Sequence, residues 1–232
     1  MRLMRPVVGV MGLSLVMAAC VALPREHEPE PEGVEPRTVS TAQVCGGTLF
    51  SPEAGRALEK VMEGTAFVIR EPEDDRGAAD IAQAVENAYR AGVDIENMPN
   101  GTCRIRGVQK ERGGRIPKAS MTFIARSKHA GPADLVGAEG TGVRVDRGIT
   151  DHSVVFDCVS SRVGSTADAP VRITARFDGR SAGEYRKDPS RADDYLTLVH
   201  SAARSVAAEL GCRDDGGLPA QFKDLERYVD AP

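Results

Sequence analysis

Cys45, Cys103, Cys158 and Cys212 are the side chains of this sequence best suited to chemistry of their own, because four thiols at similar intervals can pair by oxidation or grip a metal ion. No C-x-x-C or H-x-x-x-H spacing accompanies them, so a zinc site is not expected and two disulfides are. Four cysteines allow three pairings. The expected one joins Cys45 to Cys103 and Cys158 to Cys212, since each pair then brackets one helix-containing half of the chain. Each bridge would close a loop of roughly 55 residues, for which chain entropy gives about 4 kcal/mol. Disulfides of this kind persist in oxidising compartments, which points to an exported protein.

The footprints of a hydrolase are weak. There is no G-x-S-x-G, no H-E-x-x-H and no penicillin-binding signature set. His152 stands between Asp151 and Ser153, but neighbours on a strand point to opposite faces, so this adjacency is not a triad, and a turn or strand-edge position is expected. His200 falls on a helical stretch as a partly exposed surface residue, and His129 lies in a loop with Gly131 and Pro132. Glu71, Glu73, Asp74, Asp75 and Asp80 lack the alternating D-x-D-x-D-G spacing that wraps a loop around calcium, and read as a solvated loop. Asp214-Asp215-Gly216-Gly217 reads as a turn. Gly137, Gly140 and Gly142 precede an alternating strand pattern and not a helix, so no phosphate cradle is expected. No catalytic residue, metal or cofactor is assigned.

The uneven feature of charge is residues 104–128, where Arg104, Arg106, Lys110, Arg112, Arg115, Lys118, Arg126 and Lys128 face a single acid, Glu111. Arg112, Arg115 and Lys118, around Gly113-Gly114, form a basic loop between two strands that can meet an anionic lipid surface or wall polymer. The chain as a whole carries a net charge of −4, so bulk charge does not indicate a nucleic-acid partner.

These residues must be positioned by elements that are legible from periodicity. Ser51 and Pro52 start a helix whose apolar face is Ala54, Leu58, Val61 and Met62, and Gly64 stops it. Residues 66–70 read as a strand. A second amphipathic helix over 78–91 carries Ile81, Val85, Ala88 and Tyr89 on one face and ends at Gly92. The period then becomes two: Met121, Phe123 and Ala125; Val143 and Val145; residues 154–158; and Val171, Ile173, Ala175 and Phe177 alternating with Arg172, Thr174 and Arg176. A last helix over 192–210 presents Tyr195, Val199, Ala202, Val206 and Leu210, then Gly211 and Cys212. The fold class expected is α+β: an antiparallel sheet with amphipathic helices packed on it, braced by two disulfides.

The amino end sets the address. Arg2 and Arg5 precede an uncharged, almost unbroken apolar stretch at 6–19, which is the order of a secretory signal and is too short for a permanent span. Val16-Met17-Ala18-Ala19-Cys20 resembles a lipobox, with Met17 where Leu is usual. The resemblance implies cleavage before Cys20 and a diacylglycerol on its thiol. Cys45-Gly46-Gly47 before a capped helix, a strand ending in Cys158 and a helix ending in Leu210-Gly211-Cys212 are similar to uncharacterised actinobacterial secreted lipoproteins, a resemblance that carries no activity. Residues 20–44, rich in Pro and Glu, read as an extended tether, and 45–232 as the α+β domain.

Taken together, the sequence leads us to expect an exported lipoprotein held on the outer face of the cytoplasmic membrane through Cys20, acting as a non-enzymatic binding or interaction module. Its partners would be the membrane, through the lipid, and a protein, an anionic lipid or a wall polymer. A hydrolase acting on the wall or on exported proteins is the alternative.

Overall fold

The computed structural model describes residues 35–92, 101–108, 116–127, 142–147, 151–180 and 191–229. All of them belong to the unit Gly33–Pro232. Cys20, Arg112, Arg115, His129, Gly137 and Gly140 lie outside the described residues.

Strands that alternate apolar and polar residues can bury only one side. Five of them form an antiparallel sheet: β3 (Thr102–Arg106), β4 (Lys118–Ser127), β5 (Arg144–Arg147), β6 (Asp151–Cys158) and β7 (Val171–Arg180), in the spatial order β3-β4-β7-β6-β5. The central pair is β4 with β7, registered as Met121↔Phe177, Phe123↔Ala175 and Ala125↔Ile173. The buried side of the sheet thus presents Cys103, Ile105, Met121, Phe123, Val154, Phe156, Ile173 and Phe177, all almost fully buried.

Three helices lie on that side: α1 (Pro52–Met62), α2 (Ala78–Ala91) and α3 (Ala192–Leu210). The Ser51 side chain accepts the Ala54 N–H at 3.2 Å, capping α1 as its sequence predicts. The left-handed stop falls on Glu63 and not on Gly64. Arg191 supports that cap, pairing with Glu63 at 2.9 Å and donating to the Lys60 and Val61 carbonyls at the negative end of the helix. Gly92 and Gly211 cap α2 and α3 in the same left-handed conformation, where a Cβ is costly. In α3, residues Leu196 to Ala203 are all buried, because α1, α2, the sheet and the carboxy-terminal segment surround it.

The tether expected through Val44 ends earlier. β1 (Arg37–Ser40) pairs antiparallel with β2 (Ala66–Ile69), Val39 is buried, and a 3-10 turn over Thr41–Gly47 leads into the first cysteine. Four residues with one apolar side chain give no periodicity, so only the tertiary pairing reveals this strand. β2 also bridges Gly107 beyond the end of β3 through Phe67, which joins the small sheet to the edge of the large one.

The α+β sandwich is braced as expected by Cys45–Cys103 and Cys158–Cys212, with Cα separations of 5.8 and 5.0 Å. The first fastens the segment before α1 to edge strand β3. The second fastens the end of α3 to the end of β6. That end is reinforced where Ser160 Oγ donates to the Leu210 carbonyl and Arg213 N donates to Val159 O at 2.9 Å.

Replacing both Cys158 and Cys212 by Ala should lower stability by about 4 kcal/mol, the chain-entropy value for a loop of this length. Urea unfolding of the double variant beside the natural chain measures this directly; an unchanged midpoint would show that the bridge contributes nothing to stability.

Candidate functional site

The first disulfide organises a charged corner. Cys45, Gly46 and Gly47 follow one another in the left-handed region, at φ 52°, 66° and 68°. A Cβ on Gly46 would stand 3.0 Å from the Gly77 Cα and 3.1 Å from the Asp75 carbonyl oxygen, so that glycine permits a close backbone approach to the turn before α2. On the other side of the bridge, Cys103 Sγ lies 3.7 Å from the Asp74 carbonyl oxygen. The acidic loop 71–75 is thereby held against the edge of β3.

Each carboxylate considered for calcium has its own partner there. Asp74, only 2% exposed, accepts the backbone N–H groups of Arg70 at 2.9 Å and Glu71 at 3.2 Å, and the Arg106 Nε at 3.1 Å. Glu71 accepts from Arg104 at 2.7 Å and Arg106 at 3.1 Å. Asp75 pairs with Arg37 at 2.6 Å, Glu73 with Arg76 at 3.3 Å, and Asp80 accepts the Gly77 N–H at 3.0 Å at the start of α2. The solvated loop read from sequence is therefore an ion-pair network. Among the described residues, no three His, Cys, Asp or Glu side chains gather as a metal-ligand set.

Two histidines depart from expectation. His200 is buried, not at the surface: its Nε2 lies 2.8 Å from the Pro219 carbonyl oxygen, which only accepts, so the ring donates from Nε2. The carboxy-terminal segment folds over α3 at this point, and that covering is invisible in the helical period. Burial lowers the His200 pKa, with the Arg204 cation acting the same way against the opposing Pro219 carbonyl and Glu53. His152 is buried within β6 and not at a turn or sheet edge, its ring stacked on Tyr195 with centroids 4.9 Å apart. It pairs in register with Arg147 on β5 and Phe177 on β7. The stack places His152 in an aromatic contact with Tyr195, itself 5.7 Å from Phe177. Asp214, Asp215, Gly216 and Gly217 form the expected turn, with all four residues in the left-handed region.

A further network ties α2 to the loop after β6. Arg162 Nε donates to Glu86 at 2.8 Å, and Arg90 pairs with the same carboxylate at 2.8 Å. The Arg162 hydrogen bond is the main cause of the lowered Glu86 pKa, against desolvation that acts the other way. The same guanidinium donates to the Glu209 carbonyl at 2.6 Å, so the network joins α2, the loop after β6 and the end of α3.

What strand periodicity could not assemble is the outer face of the sheet. Lys118, the described member of the basic trio, is exposed at the start of β4, opposite Arg106. Along the same face the register brings Arg104 beside Ser120, Thr102 beside Thr122 and Arg176, Thr174 beside Ile124 and Val155, and Arg126 beside Arg172 and Asp157. Arg172 grips Asp157 with two bonds of 2.9 and 3.1 Å, the main cause of its raised pKa. Asp157 also accepts the Gly142 N–H at 3.0 Å. The signal was present in the sequence as Arg172, Thr174 and Arg176, but only register shows that cations from β3, β4, β5 and β7 share one surface.

Two measurements check these assignments. Because the folded His200 pKa lies below its unfolded value of about 6.5, the unfolded chain takes up the extra proton. Its contribution should be complete above that pH and be lost as pH falls below it; His200→Gln, which keeps a donor for Pro219, should flatten this part of a stability profile between neutral and acidic pH. Asp74→Ala leaves the Arg106 Nε and two buried backbone N–H groups without their acceptor, with only Glu71 still pairing the guanidinium, and should cost roughly 3 kcal/mol in chemical denaturation. A loss no larger than that of a surface substitution would show that the network is not structural.

No family model, no curated protein and no solved structure matches this chain.

Proposed function

We propose that this protein is an exported lipoprotein, anchored by diacylglycerol on Cys20 to the outer face of the cytoplasmic membrane, whose α+β domain is a non-enzymatic binding module for an anionic partner. The observation that carries this reading is the pair of disulfides whose four cysteines are buried within the core. Bridges so placed support an oxidising compartment, since a reducing one would leave four thiols inside the fold. The signal-like amino end and the cysteine after Ala18-Ala19 supply the route. No described helix is long and apolar enough to cross a membrane, so a membrane address rests on the lipid.

Binding is favoured over catalysis by where the described polar side chains are used. Asp74, Glu86, Asp157 and His200 support backbone groups, arginines or one another's elements, while the sheet's outer face offers an array of cations and hydroxyls. Lys118 stands on that face, and with the sequence neighbours Arg112 and Arg115 it makes the basic trio whose partner would be an anionic lipid, a wall polymer or an acidic protein.

Cys20→Ala should release the protein from the membrane fraction into the medium, read by fractionation of intact cells. Retention equal to that of the natural chain would overturn the lipid anchor.

A further inference from the structure

We propose that the outer face of the five-stranded sheet is a docking surface for a linear polyanion with phosphodiester charges, a wall polymer and not the bilayer. This inference rests on the exported address proposed above for where the two would meet. Among the described side chains on that face, Arg104, Arg106, Lys118, Arg126, Arg144, Arg172 and Arg176 oppose Asp146, Asp157 and Asp178. Even with Glu71 and Asp74 reaching round the rim to Arg104 and Arg106, cations outnumber carboxylates in a chain whose net charge is −4. Among the described residues, α2 and α3 pack against the other side of the sheet and α1 packs against α3.

The chemistry of the face selects among anions. Between the cations stand Ile124, Val155 and the short hydroxyls Thr102, Ser120, Thr122, Ser153 and Thr174, which add neutral hydrogen-bond donors for phosphate oxygens beside the stronger charged guanidinium donors. Aromatic side chains are missing from the described part of this face: Phe123, Phe156 and Phe177 all point into the core. Stacking of nucleobases, and of sugar rings in a neutral glycan, therefore has no platform among the described side chains of this face. An acidic peptide would gain charge pairs alone, because a sheet face offers no backbone groups for strand addition.

Shape separates a polymer from a bilayer. Successive strands twist by roughly 20–25°, so a plane touches only part of a five-stranded face. Arg106, Arg126 and Arg172 are also recessed, each less than a quarter exposed, and cannot reach a flat surface that their neighbours meet first. A flexible chain can lie along the strands. It can also cross them: Arg104, Lys118 and Arg176 stand on the successive strands β3, β4 and β7, about 4.8 Å apart, so several charges of one polymer can be met in series.

The test is titration of the purified mature chain with poly(glycerol phosphate), with phosphatidylglycerol vesicles and polyglutamate as parallel probes. We expect salt-sensitive binding to the phosphate polymer, weaker binding to the other two, and an affinity about ten-fold lower when Arg104, Lys118 and Arg176 are changed together to Ser. The slope of log affinity against log salt should fall by about two in that variant. A control with Arg56, Arg213 and Lys223 changed to Ser removes the same charge elsewhere and should bind like the natural chain. Thermal melts of both variants establish that they fold. Equal losses in the two variants, equal affinity for polyglutamate, or preference for the vesicles would each overturn the proposal. The assay is independent of anchoring: retention of the Cys20→Ala chain in membranes would defeat the lipid address and leave this result standing.

Discussion

Everything in the described fold follows from the one-sided burial of the antiparallel sheet. Phe123, Phe156, Phe177, Met121 and Ile173 are withdrawn from water on one face only, and α3 is driven against them so completely that its central turns are buried nearly all round. That leaves the alternate residues of the same strands, fixed by a period of two, on a surface with no described helical cover. Composition of the outer face is then a separate choice, unconstrained by the core, and arginine, threonine and serine predominate there over three aspartates, Ile124 and Val155.

The disulfides act at the margins of that arrangement. Both join the sheet to a segment with little hydrophobic area of its own: a left-handed Cys-Gly-Gly turn in one case, the residue after the α3 cap in the other. The Cys45–Cys103 bridge has a second effect, because it brings the 71–75 loop to edge strand β3, where Asp74 and Glu71 engage Arg104 and Arg106. An edge strand with open backbone groups invites pairing with another chain, and this one is covered by the bridged β2 segment and the ion-pair network. Sulfur chemistry and electrostatics thus close the same margin.

The helices, the main strands and both disulfide partners were legible in the sequence because each rests on local information: 3.6 or two-residue periods, Ser-Pro and Gly boundaries, and loops of comparable length. β1 was not, since Arg37-Thr-Val-Ser owes its extended form to pairing with β2. His200 is hidden for a related reason; a helix period identifies the most apolar stripe but cannot show that the segment after it, a 3-10 turn over Arg213–Gly217 continuing through Pro219, folds back against the helix. The acidic loop reads as solvated from sequence because its partners Arg37, Arg104 and Arg106 are distant in sequence. Of the basic trio, Lys118 joins a larger cationic surface, whereas Arg112 and Arg115 lie outside the described residues.

That surface is costly to build. Arg126 stands directly across from Arg172, and like charges at such positions oppose strand pairing. The fold relieves part of this with Asp157, which holds Arg172 in a two-bond grip from the next strand, and at the rim with Glu71 and Asp74. The relief also orients the guanidinium groups, fixing donors that would otherwise lose rotamer freedom on meeting an anion. A sheet that needed only solubility would be served by scattered charges of both signs, and the mildly acidic balance of the rest of the chain supplies them. Concentrating positive charge against that balance, with carboxylates spent on orienting it, makes sense where the arginines have an anionic partner to meet.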